Sequence, residues 1–142
     1  MNRREVLFAT GAAVVASSAL PGVGQDMPHH HMGGAKNQAL IDAAGKCSSL
    51  AEICVGHCVE MLAGGDKSLA ACAASSREVA VVCDGLHSLA AQNSAHLASY
   101  AKVAAEICKS CEAECRKHPE HEVCKNCGDA CAACASECAK VA

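Results

Sequence analysis

Cysteine recurs along this 142-residue chain at steps of three and four, and that rhythm limits the fold more than any other feature. Steps of three and four keep side chains on one face of an α-helix, the face a helix turns toward its neighbours in a bundle. Four such stripes follow one another. The first runs Leu40, Ala44, Cys47, Ala51, Cys54, Cys58, Met61, and the second Leu69, Cys72, Ser76, Val79, Cys83, Leu86, Ala90. The third is Leu97, Ala101, Ala104, Cys108, Cys111, Cys115, His118, and the fourth is Cys124, Cys127, Cys131, Cys134, Cys138. All 13 cysteines fall on a stripe. Charged residues such as Lys109, Glu112, Glu114, Lys125 and Asp129 fall between them.

Three punctuation marks separate the stripes: Gly64-Gly65-Asp66, Gln92-Asn93-Ser94 and His118-Pro119-Glu120. Asp66 and Ser94 are suited to cap the helices that follow, and Pro119 to the first turn of the last one. Each break spans only a few residues, which makes consecutive helices antiparallel. The expectation is an all-α, antiparallel up-down four-helix bundle with a Cys-lined core over residues 35–142, its helices about 20 to 28 residues and about 30 to 42 Å long.

Ordinary core-building bulk is scarce. The chain has one Phe, one Tyr and no Trp, and beyond Cys108 the only aliphatics larger than Ala are Val123 and Val141. An oily core cannot form in that half from such side chains, so something else must hold it. A net charge of -3, with bases scattered among acids, gives no nucleic-acid surface.

Residues 1–24 have the pattern of an export signal: Arg3-Arg4, an apolar run from Val6 to Leu20, then Pro21-Gly22. The paired arginines and the polar character of Thr10, Ser17 and Ser18 suit the twin-arginine route, which carries folded proteins; a general secretory peptide is the alternative. Cleavage after Ala19 or after Gly24 fits. Residues 25–34 form an arm with Met27, His29, His30, His31 and Met32, suited either to metal capture or to a plain linker. No other stretch is apolar and long enough to span a bilayer, so the processed chain is expected to be soluble outside the cytosol.

Inward thiols admit several chemistries. As small hydrophobes, five Cys on the last stripe would bury too little area to order a helix. As a disulfide framework they are poorly placed, because neighbours three or four apart on one helix cannot bridge without distorting it and an odd count leaves one over. Cys108-x2-Cys111-x12-Cys124-x2-Cys127 has zinc-site spacing, but the stripe continues past it. Iron–sulfur ligands are spaced differently. Cu(I) fits: it is soft, accepts two or three sulfurs, and carries the single charge that balances one thiolate, so a full core would hold a load approaching one ion per Cys. A thiol peroxidase or copper oxidoreductase would need one distinguishable nucleophile or an open ligand set, and no Cys stands apart. Catalysis is therefore not expected.

The run Cys108-x2-Cys111-x3-Cys115-x2-His118-Pro119-x-His121-x2-Cys124-x2-Cys127-x3-Cys131-x2-Cys134-x3-Cys138, with Cys54-x3-Cys58, His57 and Met61, resembles the bacterial four-helix-bundle copper storage proteins. The signal is similar to that of their exported branch. The resemblance implies many Cu(I) ions held mainly by Cys pairs, association of bundles into an oligomer such as a tetramer, and metal uptake at one end near His and Met. Helix two departs from the pattern in carrying only Cys72 and Cys83.

Antiparallel order sends the end of helix one, the start of helix two and the turn between helices three and four to one end, which gathers His57, Met61, His118 and His121. Imidazole and thioether bind Cu(I) more weakly than thiolate, as an uptake point requires. The same side chains also suit capping (His118, His121), a core plug (Met61) or a solvated face (His57). His87 and His96 belong to the opposite end, in surface or capping roles, and Tyr100 to core or interface. Replacing Cys124, Cys127, Cys131, Cys134 and Cys138 together by Ser should remove a large block of Cu(I) capacity while circular dichroism shows the apo helices largely retained; unchanged capacity would refute the inward placement.

Overall fold

Ala-rich segments bounded by the three breaks form four helices: α1 Gln38–Ala63, α2 Ala70–Ala91, α3 Leu97–Cys115 and α4 Glu122–Cys138. The computed structural model describes residues 36–142. The expected export signal at 1–24 and the arm carrying His29, His30 and His31 lie outside the described residues. The last two helices have 19 and 17 residues, shorter than expected. Pro119 disfavours helical geometry in the residue before it, which helps to end α3 early, and the turn this leaves delays the start of α4.

Local chemistry explains each turn. After α1, the Asp66 N–H donates to the Met61 carbonyl and the Gly65 N–H to that of Leu62, both at 3.0 Å. After α2, Ser94 donates to Leu89 and Asn93 to Ala90. Both are the paired closing bonds of a helix that ends on a left-handed residue, here Gly65 at φ 98° and Asn93 at φ 50°. Asp66 accepts from the Ser68 backbone N–H at 3.0 Å, capping a short 3-10 turn, Lys67–Leu69, that leads into α2. Ser94 Oγ accepts from the His96 N–H at 3.2 Å. Pro119 differs from expectation. It precedes α4 in a turn closed by the His121 N–H on the His118 carbonyl at 3.1 Å, where its fixed φ suits the second turn position rather than a helix start.

The helices pack as a closed ring, α1 on α2, α2 on α3, α3 on α4, and α4 back on α1, with α2 and α4 barely meeting across the middle. Every residue of the four stripes is buried except Met61, which is half-buried against the core. The core is two-ended. Toward the α2–α3 turn it is filled by Leu40, Ala44, Leu86, Ala90, Leu97, Ala101 and Ala104, and the Asn37 amide ties the start of α1 to the Ala90 carbonyl and to Asn93 at 3.4 and 3.2 Å. The rest is sulfur. The buried side of α4 carries nothing larger than Cys, whereas each buried Leu elsewhere contributes about 1.5–3 kcal/mol.

Gly65→Ala should lower apo-protein stability by about 1 kcal/mol, because a Cβ is strained at that positive φ. Asn93→Gly should change stability less, because glycine's ease at φ 50° offsets loss of the exposed Asn93 Oδ1 acceptor of Asn37; thermal melts of both variants check the pair.

Candidate metal centre

The thirteen cysteines are free and wholly buried. Their sulfurs pack at van der Waals distances rather than at the roughly 2.05 Å of a disulfide bond. Two compact rings stand out, each drawing on several helices. Cys54, Cys58, Cys72 and Cys124 have all four Sγ atoms within 4.8 Å of one another, and so do Cys47, Cys83, Cys108 and Cys134. Two three-sulfur groups, Cys54 with Cys115 and Cys127, and Cys111 with Cys127 and Cys131, are equally close. Cys54 and Cys127 each belong to two groups, and Cys131 lies 3.7 Å from Cys47 of the second ring, so the sulfur array is continuous. Cys138 extends it from Cys134, one helical turn back and within sulfur hydrogen-bonding reach.

Contacts across helices carry the array. Cys47 donates to Cys131 at 3.7 Å, joining α1 to α4. Cys72 lies 3.7 Å from Cys115 and Cys83 lies 3.7 Å from Cys108, joining α2 to α3 twice. Cys54 touches Cys58, Cys72 and Cys124 at 3.8–3.9 Å. The four cysteines with zinc-like spacing do not converge. Cys108 joins the second ring, Cys124 the first, and Cys111 and Cys127 a group between them. That spacing reflects two helices turning thiols into one core, not a loop-built tetrahedral site.

Thiol acidity follows the network. Burial pushes Cys58 and Cys124 up, as the negative charges of their sulfur neighbours also do. Cys127 rises to about 12, chiefly through its hydrogen bond with Cys111. Cys108 falls to about 5, above all because Cys131 donates to it. Cys54, Cys111 and Cys134 are lowered by the same cause, each accepting from several thiols. Nine of the thirteen are raised, so most of these thiols keep their protons at neutral pH, while the four lowered ones are held as acceptors by their neighbours' S–H groups.

One end of this array is capped by imidazoles. His57 on α1 meets His121, with Nε2 and Nδ1 3.0 Å apart, and His118 stands edge-on to His121 with ring centres 6.4 Å apart. Glu120 approaches His121 at 3.5 Å and His118 at 3.9 Å, and Asp66 feels both rings. Cys58 follows His57, and Cys124 lies three residues past His121, so the first sulfur ring is directly beneath. Met61 flanks this end of α1. At the other end, His87 lies over Gly45 of α1, His96 is exposed in the α2–α3 turn, and Tyr100 packs α3 on α2 by donating to the Val82 carbonyl at 3.2 Å. Sequence reasoning placed Ser76 on a stripe without assigning it a part in the site. Its Oγ lies among sulfurs, 3.7 Å from Cys111, 3.9 Å from Cys127 and 4.0 Å from Cys72, and the signal was its register between Cys72 and Cys83.

Comparison with known proteins agrees with this geometry. The family model described as Csp, copper storage protein, matches residues 34–142. A cysteine-rich protein of Bacillus subtilis strain 168, YhjQ, is 29% identical over 106 residues, spanning 75% of this chain and 95% of that one. Among solved structures, apo copper storage protein 3 from Bacillus subtilis superposes with a TM-score of 0.66 at 28% identity, covering 74% of this chain and 97% of its own. The Cu(I)-bound form of the copper storage protein BsCsp3 superposes at 0.67 with 28% identity, covering 75% and 97%.

Metal uptake must displace thiol protons, so affinity should rise with pH. The sign follows from the thiols held above their ordinary value of 9.0, such as Cys58 and Cys124: below 9 they carry protons that binding must expel, and raising the pH reduces that penalty. Weakly buffered titration with Cu(I) should release protons in proportion to copper bound, and retention against a competing ligand of known pH dependence should increase from pH 6 to 9. Binding without proton release would contradict thiolate ligation.

Proposed function

The chain belongs to the copper storage protein family, and from that premise and the sulfur array we propose that it stores Cu(I) as cargo inside the bundle and later yields it to a copper-requiring acceptor, without catalytic turnover. The observation that carries this reading is continuity: thirteen buried sulfurs, linked by shared group members and by the contacts of Cys47 with Cys131 and of Cys134 with Cys138, form one array rather than one closed site. Leaving even a few thiolates uncompensated in such a core would cost several kcal/mol each, against a total stability of about 5–15 kcal/mol for a domain. A monovalent soft cation removes that penalty ion for ion. A divalent ion at the same occupancy would overcharge the core, although either four-sulfur ring alone would accept zinc.

In this reading Cys47, Cys54, Cys58, Cys72, Cys83, Cys108, Cys111, Cys115, Cys124, Cys127, Cys131, Cys134 and Cys138 are the storage ligands. His57, His118 and His121, with Met61 beside them, receive the ion at the mouth and pass it to the first ring. Imidazole and thioether hold Cu(I) loosely enough for that transfer, and thiolate then retains it. The opposite end is shut by leucines. Exposed Ile53, Val59, Val81 and Val103 offer outer apolar surface for association into a homo-oligomer. The Arg3-Arg4 pair and the apolar run after it support export through the twin-arginine route, ahead of a His/Met arm at 25–34. Among the described residues no helix is long and apolar enough to cross a membrane.

Anaerobic titration of the reduced full chain with Cu(I) against a competing chelator should give a load approaching one ion per Cys, with a large rise in melting temperature as the ions cross-link the helices. Saturation at one or two ions would rule out storage. His57→Ala with His121→Ala should slow uptake while leaving final capacity unchanged; loss of capacity instead would make these imidazoles storage ligands.

A further inference from the structure

Sulfur is unevenly distributed along the core. Between Cys72 and Cys83 the α2 stripe offers Ser76 and Val79, and between Cys47 and Cys54 the α1 stripe offers Ala51, all three fully buried. At that height the only thiols come from α3 and α4: Cys111, Cys115, Cys127 and Cys131. These four connect the two rings. Cys115 is 3.7 Å from Cys72 of the ring beneath the histidines, Cys111 is 3.9 Å from Cys115, and Cys131 is 3.7 Å from Cys47 of the far ring. The waist therefore groups sulfurs in threes, one of the threes completed by Cys54 of the first ring, where each ring groups four. Its α2 side is the Ser76 hydroxyl, a hard oxygen that cannot compete with thiolate for Cu(I).

Resting on the storage reading above, we infer that Cys111, Cys115, Cys127 and Cys131 form a relay through which Cu(I) passes between the two rings, and that Ser76, by withholding a fourth sulfur, keeps the relay from becoming a trap. The far ring has no other sulfur route to the histidines: beyond it lie Cys138, itself fully buried, and Leu40, Leu86 and Leu97, which pack around that end and give an ion no way in. Transfer is ligand exchange. A Cu–S bond forms to the next sulfur as one behind it breaks, copper stays monovalent, and the proton of the receiving thiol passes to the sulfur that is vacated. Three-sulfur groups favour such exchange, because one coordination position is always open to the incoming thiolate, whereas a fourth sulfur from α2 would close it.

The reduced full chain, filled with Cu(I) and mixed anaerobically with excess of a chromogenic Cu(I) chelator, should release its copper in a fast phase from the first ring and a slow phase from the far ring. Loss of the slow phase in C83S with C134S would confirm that assignment. S76C, nearly isosteric, should raise capacity by about one ion, on the balance of one charge per thiolate, and slow the slow phase several-fold. S76A should leave both capacity and release close to wild type, which separates the missing sulfur from any packing role. C111S with C127S should fill the first ring at the normal rate and the far ring far more slowly. An unchanged slow phase in S76C and normal filling of the far ring in C111S with C127S would overturn the relay, as would S76A slowing release as much as S76C. Uptake of only one or two ions by the wild type would instead fail the storage reading itself.

Discussion

Charge on buried sulfur governs this molecule. Thirteen thiols share a dry interior, and such an interior tolerates them in two ways, protonated or paired with cations. In the first, thiols donate to one another: most are held above their usual pKa, and Cys54, Cys108, Cys111 and Cys134 act as the acceptors. Exchange of protons for monovalent copper is the second. The same side chains thus serve as core filling in one state and as ligands in the other, and the bundle needs no rearranged fold to pass between them.

The distribution of bulk follows from that economy. Leu40, Leu86 and Leu97 collect at the α2–α3 end, where the amide of Asn37 also fastens α1 to α2, and with Leu69 they supply stability independent of metal. The sulfur end has imidazoles above it and no aliphatic core of its own on α4. Most of the aliphatic bulk and the imidazole cap are thus separated along one axis. Salt bridges on the surface, such as Arg116 with Asp129 at 2.7 Å and Glu112 at 3.2 Å, are exposed and contribute little by comparison.

Much of this was legible in the sequence, for a physical reason. Helical periodicity determines which side of a helix faces inward, so the stripes identified every buried cysteine, and Ser76, Val79 and His118 with them. Met61 fell short because the last turn of a helix is exposed at its end. The position of Pro119 in a turn of its own, and the shorter α3 and α4, depended on where the chain closes a hydrogen bond, a choice among near-equal turns that composition does not dictate. Ring membership was not legible either. It depends on the stagger and rotation of helices, which is why the zinc-like quartet Cys108, Cys111, Cys124 and Cys127 disperses into three groups. Contact between His57 and His121 needed the same information, since His57 lies one residue off its stripe.

The central claim is that copper is held along the bundle axis by sulfur from more than one helix. Diffraction data collected on either side of the copper absorption edge, from crystals of the fully loaded protein, test it most directly. The account predicts a column of anomalous peaks inside the bundle, through both rings and the waist, each within about 2.3 Å of Cys sulfurs, on the scale of metal–thiolate bonds. Peaks confined to surface histidines, or an interior of cystines without metal, would contradict it.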